Sequence, residues 1–279
     1  HADIYVDLDA VRLAVQRLVS LLPQQGRLLL GADSAEALDL SKRAPCEVVT
    51  FGLAKGADWR ATHVVFGSAG VQFVVERRGE SVVEVRVPLV GDFNVRNILA
   101  AFAVGVGLGL TYDEISSSLG RFKGVKRRLE VLGRARGVTV YDDFAHHPTA
   151  VRETLLGVRA AFPSRRIWAL FEPRSASACR RIFQDEFIGA FGSADEVVIG
   201  QVYRSSLPPR ERLDERLLVT GLQELGLRAR YIPEVSDIVR AVVDEARDGD
   251  LIVVMSNGAF GGIHTRLLAA LGADLASMG

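Results

Sequence analysis

From about residue 124 onward, short apolar runs alternate with segments whose apolar residues recur at helical spacing. The apolar runs lie near residues 137–142, 166–172, 196–202, 228–232 and 250–256. The helical segments lie near residues 147–162, 176–192, 211–225, 234–247 and 261–272. Strands that alternate with helices pair in parallel, because each helix returns the chain to the same edge of the sheet. We therefore predict a Rossmann-like domain with a six-stranded, mainly parallel sheet, whose antiparallel edge strand lies near residues 130–135.

The residues before 124 show a different pattern. The predicted elements are a helix at 8–22, strands at 27–34 and 47–52, three β runs within 59–88, and helices at 93–108 and 111–122. The three β runs are separated by the turn sequences GSAG and RRGES, which predicts an antiparallel meander. Thr111 and Glu114 have the spacing of a helix capping box. The change of pattern predicts an α/β chain with two domains, at residues 1–124 and 125–279.

The composition disfavours several classes of protein. The 279 residues include 34 basic and 34 acidic side chains, so the net charge of zero argues against charge-driven binding of nucleic acid or of a membrane surface. No apolar run has the length of a membrane span. The chain has two cysteines, Cys46 and Cys179, which belong to no motif. Because this usage is typical of a reducing compartment, we expect a cytoplasmic protein.

The segment DDFAHHPT places two acids and two histidines within six residues, directly after the first parallel strand of the second domain. Ligands of parallel sheets bind at the carboxyl ends of the strands, where Asp142, Asp143, His146 and His147 are predicted to lie. One interpretation is that an aspartate caps the next helix and the histidines are polar loop residues. Four such groups at this edge favour a functional site. A zinc site and a serine hydrolase are disfavoured, since no third ligand at metal spacing and no G-x-S-x-G segment accompany them.

Polar residues also follow the second and the last parallel strand. They are Glu172, Arg174, Ser175, Ser256, Asn257 and Gly258. An arginine fork binds a carboxylate through two parallel hydrogen bonds, so Arg174 is a candidate for binding a carboxylate-bearing substrate. The alternatives are a salt bridge within a loop for Arg174 and a tight glycine-rich turn for residues 256–258.

Two further groups of polar residues have less specific patterns. Asn94 and Asn97 are three residues apart and share one face at a helix start, which is consistent with a ligand contact or with a helix cap. Arg128 lies in the basic run KRR, which by itself is typical of a solvated surface.

Five segments, in chain order, resemble motifs of the Mur ligase family. They are HADI at 1–4, GDFNVRNILAA at 91–101, DDFAHHPTAV at 142–151, FEPRS at 171–175 and MSNGAFGGIH at 255–264. Within the family, FEPRS and MSNGAFGGIH are similar to the murein peptide ligases, whereas the DDxxHHPT loop is shared with the UDP-N-acetylmuramate–L-alanine ligases. The chain departs from the family pattern at Ala176 and Ser177, where Asn-Thr is common.

The resemblance implies an ATP-dependent amide ligase. Mur ligases use ATP and Mg²⁺ to convert a carboxylate into an acyl phosphate, which an amine attacks to give an amide, ADP and phosphate. The peptide-ligase motifs imply that UDP-N-acetylmuramate is joined to the recycled murein tripeptide L-Ala-γ-D-Glu-meso-diaminopimelate. The alternatives are a UDP-N-acetylmuramate–L-alanine ligase and a non-catalytic module that binds a nucleotide or a peptide.

The resemblance also implies roles for individual residues. It implies ATP contacts for Asn94, Asn97, Arg128, Asp142, His146 and His147. It implies peptide contacts for Glu172, Arg174, Ser175, Ser256, Asn257 and Gly258, and a metal contact for His1. The loop G-x-x-x-x-G-K-[ST], which holds the ATP phosphates in this family, is absent from the sequence. We therefore expect an inactive fragment, with the second half of an ATPase-like central domain and a complete C-terminal domain.

Overall fold

The structure, a computed structural model, describes residues 4–203 and 207–272. The chain divides between Lys123 and Gly124 into two compact units, each with its own sheet and apolar core. The α/β class that the sequence predicts is confirmed in both units. Among the described residues, no helix combines the length and the apolar character that crossing a membrane needs.

The unit before Gly124 is built on a mixed five-stranded sheet. Its helices are α1 (Leu8–Val19), α2 (Ala35–Asp39), α3 (Asp92–Gly107) and α4 (Tyr112–Gly120), and its strands are β1 (Arg27–Gly31), β2 (Glu47–Gly52), β3 (Trp59–Gly67), β4 (Gly70–Arg77) and β5 (Glu80–Val87). The strand order is β1-β2-β3-β4-β5, with parallel pairs up to β3 and antiparallel pairs from β3 to β5. The antiparallel part is the predicted meander. The predicted capping box of Thr111 and Glu114 begins α4.

The sequence pattern does not predict the short helix α2. This helix begins after Ser34, whose hydroxyl accepts the N–H of Ala37 at 3.3 Å. The preceding strand ends at Gly31 and does not continue to residue 34. A helix of five residues shows too little of a helical period to be recognised, so the cap was its only local signal.

The unit from Gly124 onward is built on the predicted six-stranded sheet. Its strands are β6 (Glu130–Ala135), β7 (Val138–Asp143), β8 (Ile167–Phe171), β9 (Glu196–Ile199), β10 (Arg228–Tyr231) and β11 (Leu251–Met255). Its helices are α5 (Pro148–Ala161), α6 (Gln184–Ile188), α7 (Glu215–Glu224), α8 (Val235–Glu245) and α9 (Ile263–Ala270). The order is β10-β9-β8-β11-β7-β6, and β6 pairs antiparallel with β7 while the other neighbours pair in parallel.

The inner strands of this sheet are buried on both faces. Phe171 and Val253 pack into one apolar cluster, and Leu170 and Val254 pack into another. Strands that are covered by helices on both faces have no side exposed to solvent, so their sequences are continuous apolar runs.

Three strand ends meet at the middle of the carboxyl edge of this sheet. Strand β11 lies between β7 and β8, and Met255 is in register with Asp143 on one side and with Phe171 on the other. The segments that follow these three strands therefore begin side by side, although they are far apart in the sequence.

A continuous helix over residues 176–192 is predicted, and this prediction is wrong. The segment contains only the short helix α6, with a 3-10 turn on either side. Just before it, the N–H of Arg181 donates to the carbonyl O of Glu211 at 2.8 Å. This pairing with a distant segment takes the place of helical hydrogen bonds, and a local sequence pattern cannot show it.

The helix predicted from residue 211 begins four residues later. Helix α7 starts after Asp214, whose carboxylate accepts the N–H groups of Arg216 at 3.1 Å and of Leu217 at 3.0 Å. Before this cap, the N–H of Leu213 donates to the carbonyl O of Cys179 at 2.9 Å, so it is bonded to another segment.

Candidate active site

The two adjacent aspartates at the end of β7 have different surroundings, and Asp143 is the structural one. Asp143 is buried and accepts hydrogen bonds from the N–H groups of Leu129 and Ala145, each at 2.8 Å, and from the hydroxyl of Thr154 at 3.2 Å. Burial raises the pKa of the Asp143 carboxyl group. These contacts connect the loop after β7 to the segment before β6 and to helix α5.

Asp142 is also buried, but its contacts are long or poorly aligned. The Nε atom of Arg127 donates to Asp142 Oδ2 at 3.3 Å. The Nε2 atom of His264 lies 3.1 Å from Asp142 Oδ1, yet neither atom has a well-aligned hydrogen bond within the described part of the chain. Buried carboxylate oxygens normally have good partners, so the surroundings of Asp142 Oδ1 are unusual.

His147, and not an aspartate, caps helix α5. Its Nδ1 atom accepts the N–H of Thr149 at 3.3 Å, and its ring packs edge-on against Phe183 with centroids 4.7 Å apart. The Nδ1 atom of His146 lies 2.8 Å from the carbonyl O of Phe144. Over residues 4–203 and 207–272, no three His, Cys, Asp or Glu side chains are grouped as metal ligands would be. The interpretation that an aspartate caps this helix is therefore wrong.

Arg127, which the sequence pattern does not single out, reaches the centre of the site. Its Nη2 atom donates to the carbonyl oxygens of Ser256 at 2.6 Å and of Gly258 at 2.8 Å, and its guanidinium lies 4.9 Å from the centroid of the Phe144 ring. Arg128 is exposed, with its guanidinium 6.0 Å from the same ring. The run KRR carries no signal that separates the two arginines, of which only Arg127 has a left-handed backbone (φ 61°).

Glu172, Arg174 and Ser256 are brought together at the adjacent ends of β8 and β11. The hydroxyl of Ser256 donates to Glu172 Oε2 at 2.5 Å and accepts the N–H of Gly258 at 2.9 Å. The Nη1 atom of Arg174 lies 3.6 Å from Glu172 Oε1, and its guanidinium lies 3.7 Å from the centroid of the Tyr203 ring. Glu172 and Ser256 are buried, whereas Arg174 is partly exposed. The buried pair therefore supports an arginine that a ligand can reach.

An open cleft of about 440 Å³ adjoins this cluster. Its charged lining residues are Glu172, Arg174, Glu234 and Arg266. The volume falls within the range of small-molecule sites, and the lining offers both carboxylates and guanidinium groups. A polar ligand that carries both a cationic and an anionic group matches this lining.

Ser175 and Asn257 have other surroundings. The Ser175 hydroxyl accepts the N–H of Ala178 at 3.0 Å, which closes the turn after β8. The Oδ1 atom of Asn257 is buried and has no hydrogen-bond partner among the described residues. The structure thus shows a structural contact for Ser175 and an unused polar atom on Asn257.

The other predicted site residues lie in the unit before Gly124 or outside the described residues. The amide of Asn94, in the first turn of α3, donates to the carbonyl O of Val90 at 2.8 Å. The N-cap of α3 is Gly91, without a side-chain bond, so the two asparagines do not cap the helix. Asn97 is exposed. His1 lies outside the residues that the structure describes.

Two known domain families match the chain. Residues 1–105 match the Mur ligase middle domain, and residues 127–258 match the domain described as "Mur ligase, glutamate ligase domain". The UDP-N-acetylmuramate–L-alanine ligase of Desulfitobacterium hafniense is 33% identical over 262 residues, which cover 92% of this chain and 57% of that protein. The chain thus spans about half the length of the curated relatives that it matches.

Solved structures of these enzymes are similar to the chain. A murein peptide ligase of Psychrobacter arcticus is 30% identical with a TM-score of 0.67, and the match covers 96% of this chain and 56% of that one. The UDP-N-acetylmuramate–alanine ligase of Thermotoga maritima has a TM-score of 0.75 and covers 94% of this chain and 55% of that one, at 22% identity, which shows the fold alone. With both of its domain matches in one superfamily and in chain order, the chain belongs to the Mur ligase superfamily.

Proposed function

We propose that the protein to which this chain belongs is an ATP-dependent ligase that joins an amine to the carboxylate of UDP-N-acetylmuramate. Membership of the Mur ligase superfamily supports the reaction class. The observation that carries the proposal is the carboxyl edge of the six-stranded sheet. There a poorly satisfied carboxylate, Asp142, lies one strand away from the cluster of Glu172, Arg174 and Ser256.

On the nucleotide side, we assign Asp142 to the ribose hydroxyls. A carboxylate that accepts hydroxyl hydrogen bonds is ordinary chemistry for ribose, and Asp142 Oδ1, although buried and 3.1 Å from His264 Nε2, has no well-aligned donor among the described residues. We assign Arg128, whose exposed guanidinium is not held by the site, to the ATP phosphates. Asn94 and Asn97 are proposed adenine contacts, and His146 and His147 are proposed to lie near the nucleotide.

ATP and Mg²⁺ are the proposed cofactors. When bound, they supply the phosphoryl group and neutralise the charge that develops as it is transferred. Within the part of the chain that the structure describes, no group of three His, Cys, Asp or Glu side chains could hold a metal ion, so we propose no Mg²⁺ ligand among these residues. The phosphate-binding loop is likewise absent from the sequence, and we propose that this chain alone does not catalyse the reaction. Because ATP and the nucleotide sugar are cytoplasmic substrates, we propose a cytoplasmic location.

On the amine side, we propose L-alanine as the first candidate substrate. The curated relatives that match at 29–33% identity are UDP-N-acetylmuramate–L-alanine ligases. Arg174 is the proposed carboxylate contact, since its guanidinium is held in place by Glu172 and Tyr203 and remains partly exposed. The amine of the bound substrate would then attack the acyl phosphate.

The murein tripeptide is the second candidate amine, and the cleft beside Arg174 favours it. A space of about 440 Å³, lined by Glu234 and Arg266 as well as by Arg174, exceeds what one alanine needs. A peptide that ends in a diamino acid carries the separate ammonium and carboxylate groups that such a lining pairs with. The 30% identity to the murein peptide ligase of Psychrobacter arcticus is consistent with this candidate.

The test is amine-dependent phosphate release by the protein encoded by the complete reading frame. ATP, Mg²⁺ and UDP-N-acetylmuramate are supplied with either L-alanine or the tripeptide as the sole amine, and kcat/KM is compared. A higher value with L-alanine supports the first candidate, and a higher value with the tripeptide replaces it by the second. No amine-dependent release with either substrate would reject the proposed reaction.

A further inference from the structure

We propose that Arg127 is a positioning residue that fixes the amine side of the site relative to the nucleotide side. The proposal rests on the function proposed above, in which Asp142 contacts the nucleotide and Arg174 contacts the amine substrate. One guanidinium group contacts both sides, because it bonds to the carboxylate of Asp142 and to the turn at residues 256–258.

The geometry of these contacts leaves little freedom. Both N–H bonds of Arg127 Nη2 have acceptors, at 2.6 Å on the carbonyl O of Ser256 and at 2.8 Å on the carbonyl O of Gly258. The Nε atom donates to Asp142 Oδ2 at 3.3 Å. A planar guanidinium presents its donors in fixed directions, so the three acceptors cannot shift independently of one another.

The turn at residues 256–258 in turn determines where Arg174 lies. The Ser256 hydroxyl holds Glu172, which is the ion-pair partner of Arg174. Gly258 packs directly against Arg174, since a Cβ atom on Gly258 would lie 2.0 Å from Arg174 Nε. A shift of this turn therefore moves both the carboxylate that holds Arg174 and the backbone against which Arg174 packs.

Arg127 is itself held in place by neighbouring groups of the protein. Its backbone adopts the left-handed conformation at φ 61°, which is unfavourable for a non-glycine residue. Its N–H donates to Glu130 Oε2 at 2.8 Å, and its guanidinium carbon lies over the Phe144 ring, 4.9 Å from the centroid. The surrounding structure thus maintains an unfavourable backbone conformation whose effect is to direct this side chain into the site.

Arg159 provides a matched control, because it makes contacts of the same kind away from the site. It donates to the carbonyl oxygens of Ser193 at 3.2 Å, Pro163 at 3.2 Å and Arg165 at 2.8 Å, and to the carboxylate of Asp195 at 2.6 Å. These partners precede β8 and β9, at the opposite edge of the sheet. Removal of Arg159 therefore removes similar hydrogen bonds without touching either proposed binding side.

The kinetic test uses the protein from the complete reading frame with the substitutions Arg127→Ala, Arg174→Ala, both together, and Arg159→Ala. Arg127→Ala is expected to raise the KM for the amine and the KM for ATP, each roughly ten- to hundredfold. Arg159→Ala is expected to leave both KM values unchanged, because loss of folded protein lowers only the apparent kcat. The double variant is expected to have the amine KM of Arg174→Ala alone, since Arg127 acts through Arg174. Multiplied effects in the double variant, or unchanged KM values in Arg127→Ala, would overturn the proposal.

A second measurement does not depend on activity. The N–H of Gly258 is bonded to the Ser256 hydroxyl, so its hydrogen exchange reports on the turn. Arg127→Ala is expected to accelerate exchange at Gly258, and Arg159→Ala is not. Unchanged exchange in Arg127→Ala overturns the positioning role even if the enzyme is active. Accelerated exchange together with an absence of amine-dependent activity in the wild type would instead reject the proposed function and retain the positioning role.

Discussion

The side chain of Arg174 occupies the space that a side chain at position 258 would need, and Gly258 has none. A Cβ atom on Gly258 would lie 2.0 Å from Arg174 Nε and 2.1 Å from Arg174 Cδ. Any side chain at this position therefore displaces the guanidinium from Glu172 and from the Tyr203 ring. The need for glycine here arises from the close approach of another side chain.

We predict that Gly258→Ala raises the KM for the amine substrate by about tenfold or more and changes the KM for ATP little. The reason is that the guanidinium group of a displaced Arg174 no longer lies where it can bind the substrate carboxylate. Steady-state kinetics with each substrate varied in turn will measure both constants. Gly192→Ala is the matched control, since a Cβ atom there meets nothing within 4 Å. An unchanged amine KM in Gly258→Ala would show that the position of Arg174 does not matter for the substrate.

We predict that Arg174→Lys loses much of the affinity for the amine substrate and that Arg174→Ala loses somewhat more. Lysine keeps the charge but cannot form two parallel bonds to a carboxylate. ATP binding should remain nearly intact, since the proposed nucleotide contacts lie elsewhere. The measurement is the KM for each amine and for ATP in both variants. If Arg174→Lys had the same amine KM as the wild type, Arg174 would not bind the substrate carboxylate through two parallel hydrogen bonds.

We predict that Asp142→Ala weakens the binding of ATP more than the binding of the amine substrate. Loss of a hydrogen bond to a charged group costs about 1.5–3 kcal/mol, which corresponds to roughly ten- to hundredfold in affinity. The readout is the KM for ATP in the protein from the complete reading frame. If that KM stayed unchanged while the amine KM rose, the ribose role of Asp142 would be wrong.

We predict that the 279-residue chain, by itself, releases no phosphate from ATP above a no-enzyme control. The phosphate-binding loop is absent from its sequence, and stabilisation of the transferred phosphoryl group is usually the largest catalytic contribution. A phosphate-release assay on the purified chain will check this. Release that is abolished by Asp142→Ala would contradict the prediction.

We predict that Asp250→Asn lowers the free energy of unfolding at neutral pH by about 3–5 kcal/mol, because it breaks a buried ion pair. Asp250 is buried and accepts hydrogen bonds from Arg166 Nη2 at 2.6 Å, from the N–H of Arg247 at 2.9 Å and from Trp168 Nε1 at 3.1 Å. Burial alone would raise the pKa of Asp250, but the hydrogen bonds from Arg166, Arg247 and Trp168 lower it overall.

The sign of this pKa shift sets the pH dependence. Since the folded-state pKa of Asp250 lies below its unfolded value of about 3.9, the ionised carboxylate stabilises the fold above that pH. The stabilisation is lost as the pH falls from the unfolded pKa through the lowered folded pKa. The difference in the free energy of unfolding between wild type and Asp250→Asn should therefore become smaller in acid. Denaturant titrations at several pH values will measure it. Asp237→Asn is the control, because its ion pair with Arg240 is exposed and contributes about 0–1 kcal/mol. An equal loss in both variants would contradict the role of burial.

The sequence by itself determined that the second sheet is mainly parallel, with six strands and an antiparallel strand at its edge. Buried parallel strands are apolar along their whole length and the helices between them are amphipathic, so both leave a local signature. The sequence also predicted that polar site residues lie at the carboxyl ends of β7, β8 and β11. Strands that alternate with helices run in the same direction, so their carboxyl ends lie at one edge of the sheet. The family resemblance rests on the same local segments, of which DDFAHHPT and MSNGAFGGIH are the longest in the second unit.

The tertiary structure alone decided which contacts each polar residue makes. Arg127 and Arg128 are adjacent and chemically identical, yet only Arg127 bonds to the turn at residues 256–258, which lies more than a hundred positions along the chain. Asp142 and Asp143 likewise differ in their partners, since Asp143 accepts hydrogen bonds from Leu129, Ala145 and Thr154 whereas Asp142 accepts one from Arg127. The helix predicted over residues 176–192 is also interrupted by a distant contact, since the N–H of Arg181 donates to the carbonyl O of Glu211. These outcomes depend on contacts between residues remote in sequence, and a local pattern of side chains carries no record of such contacts.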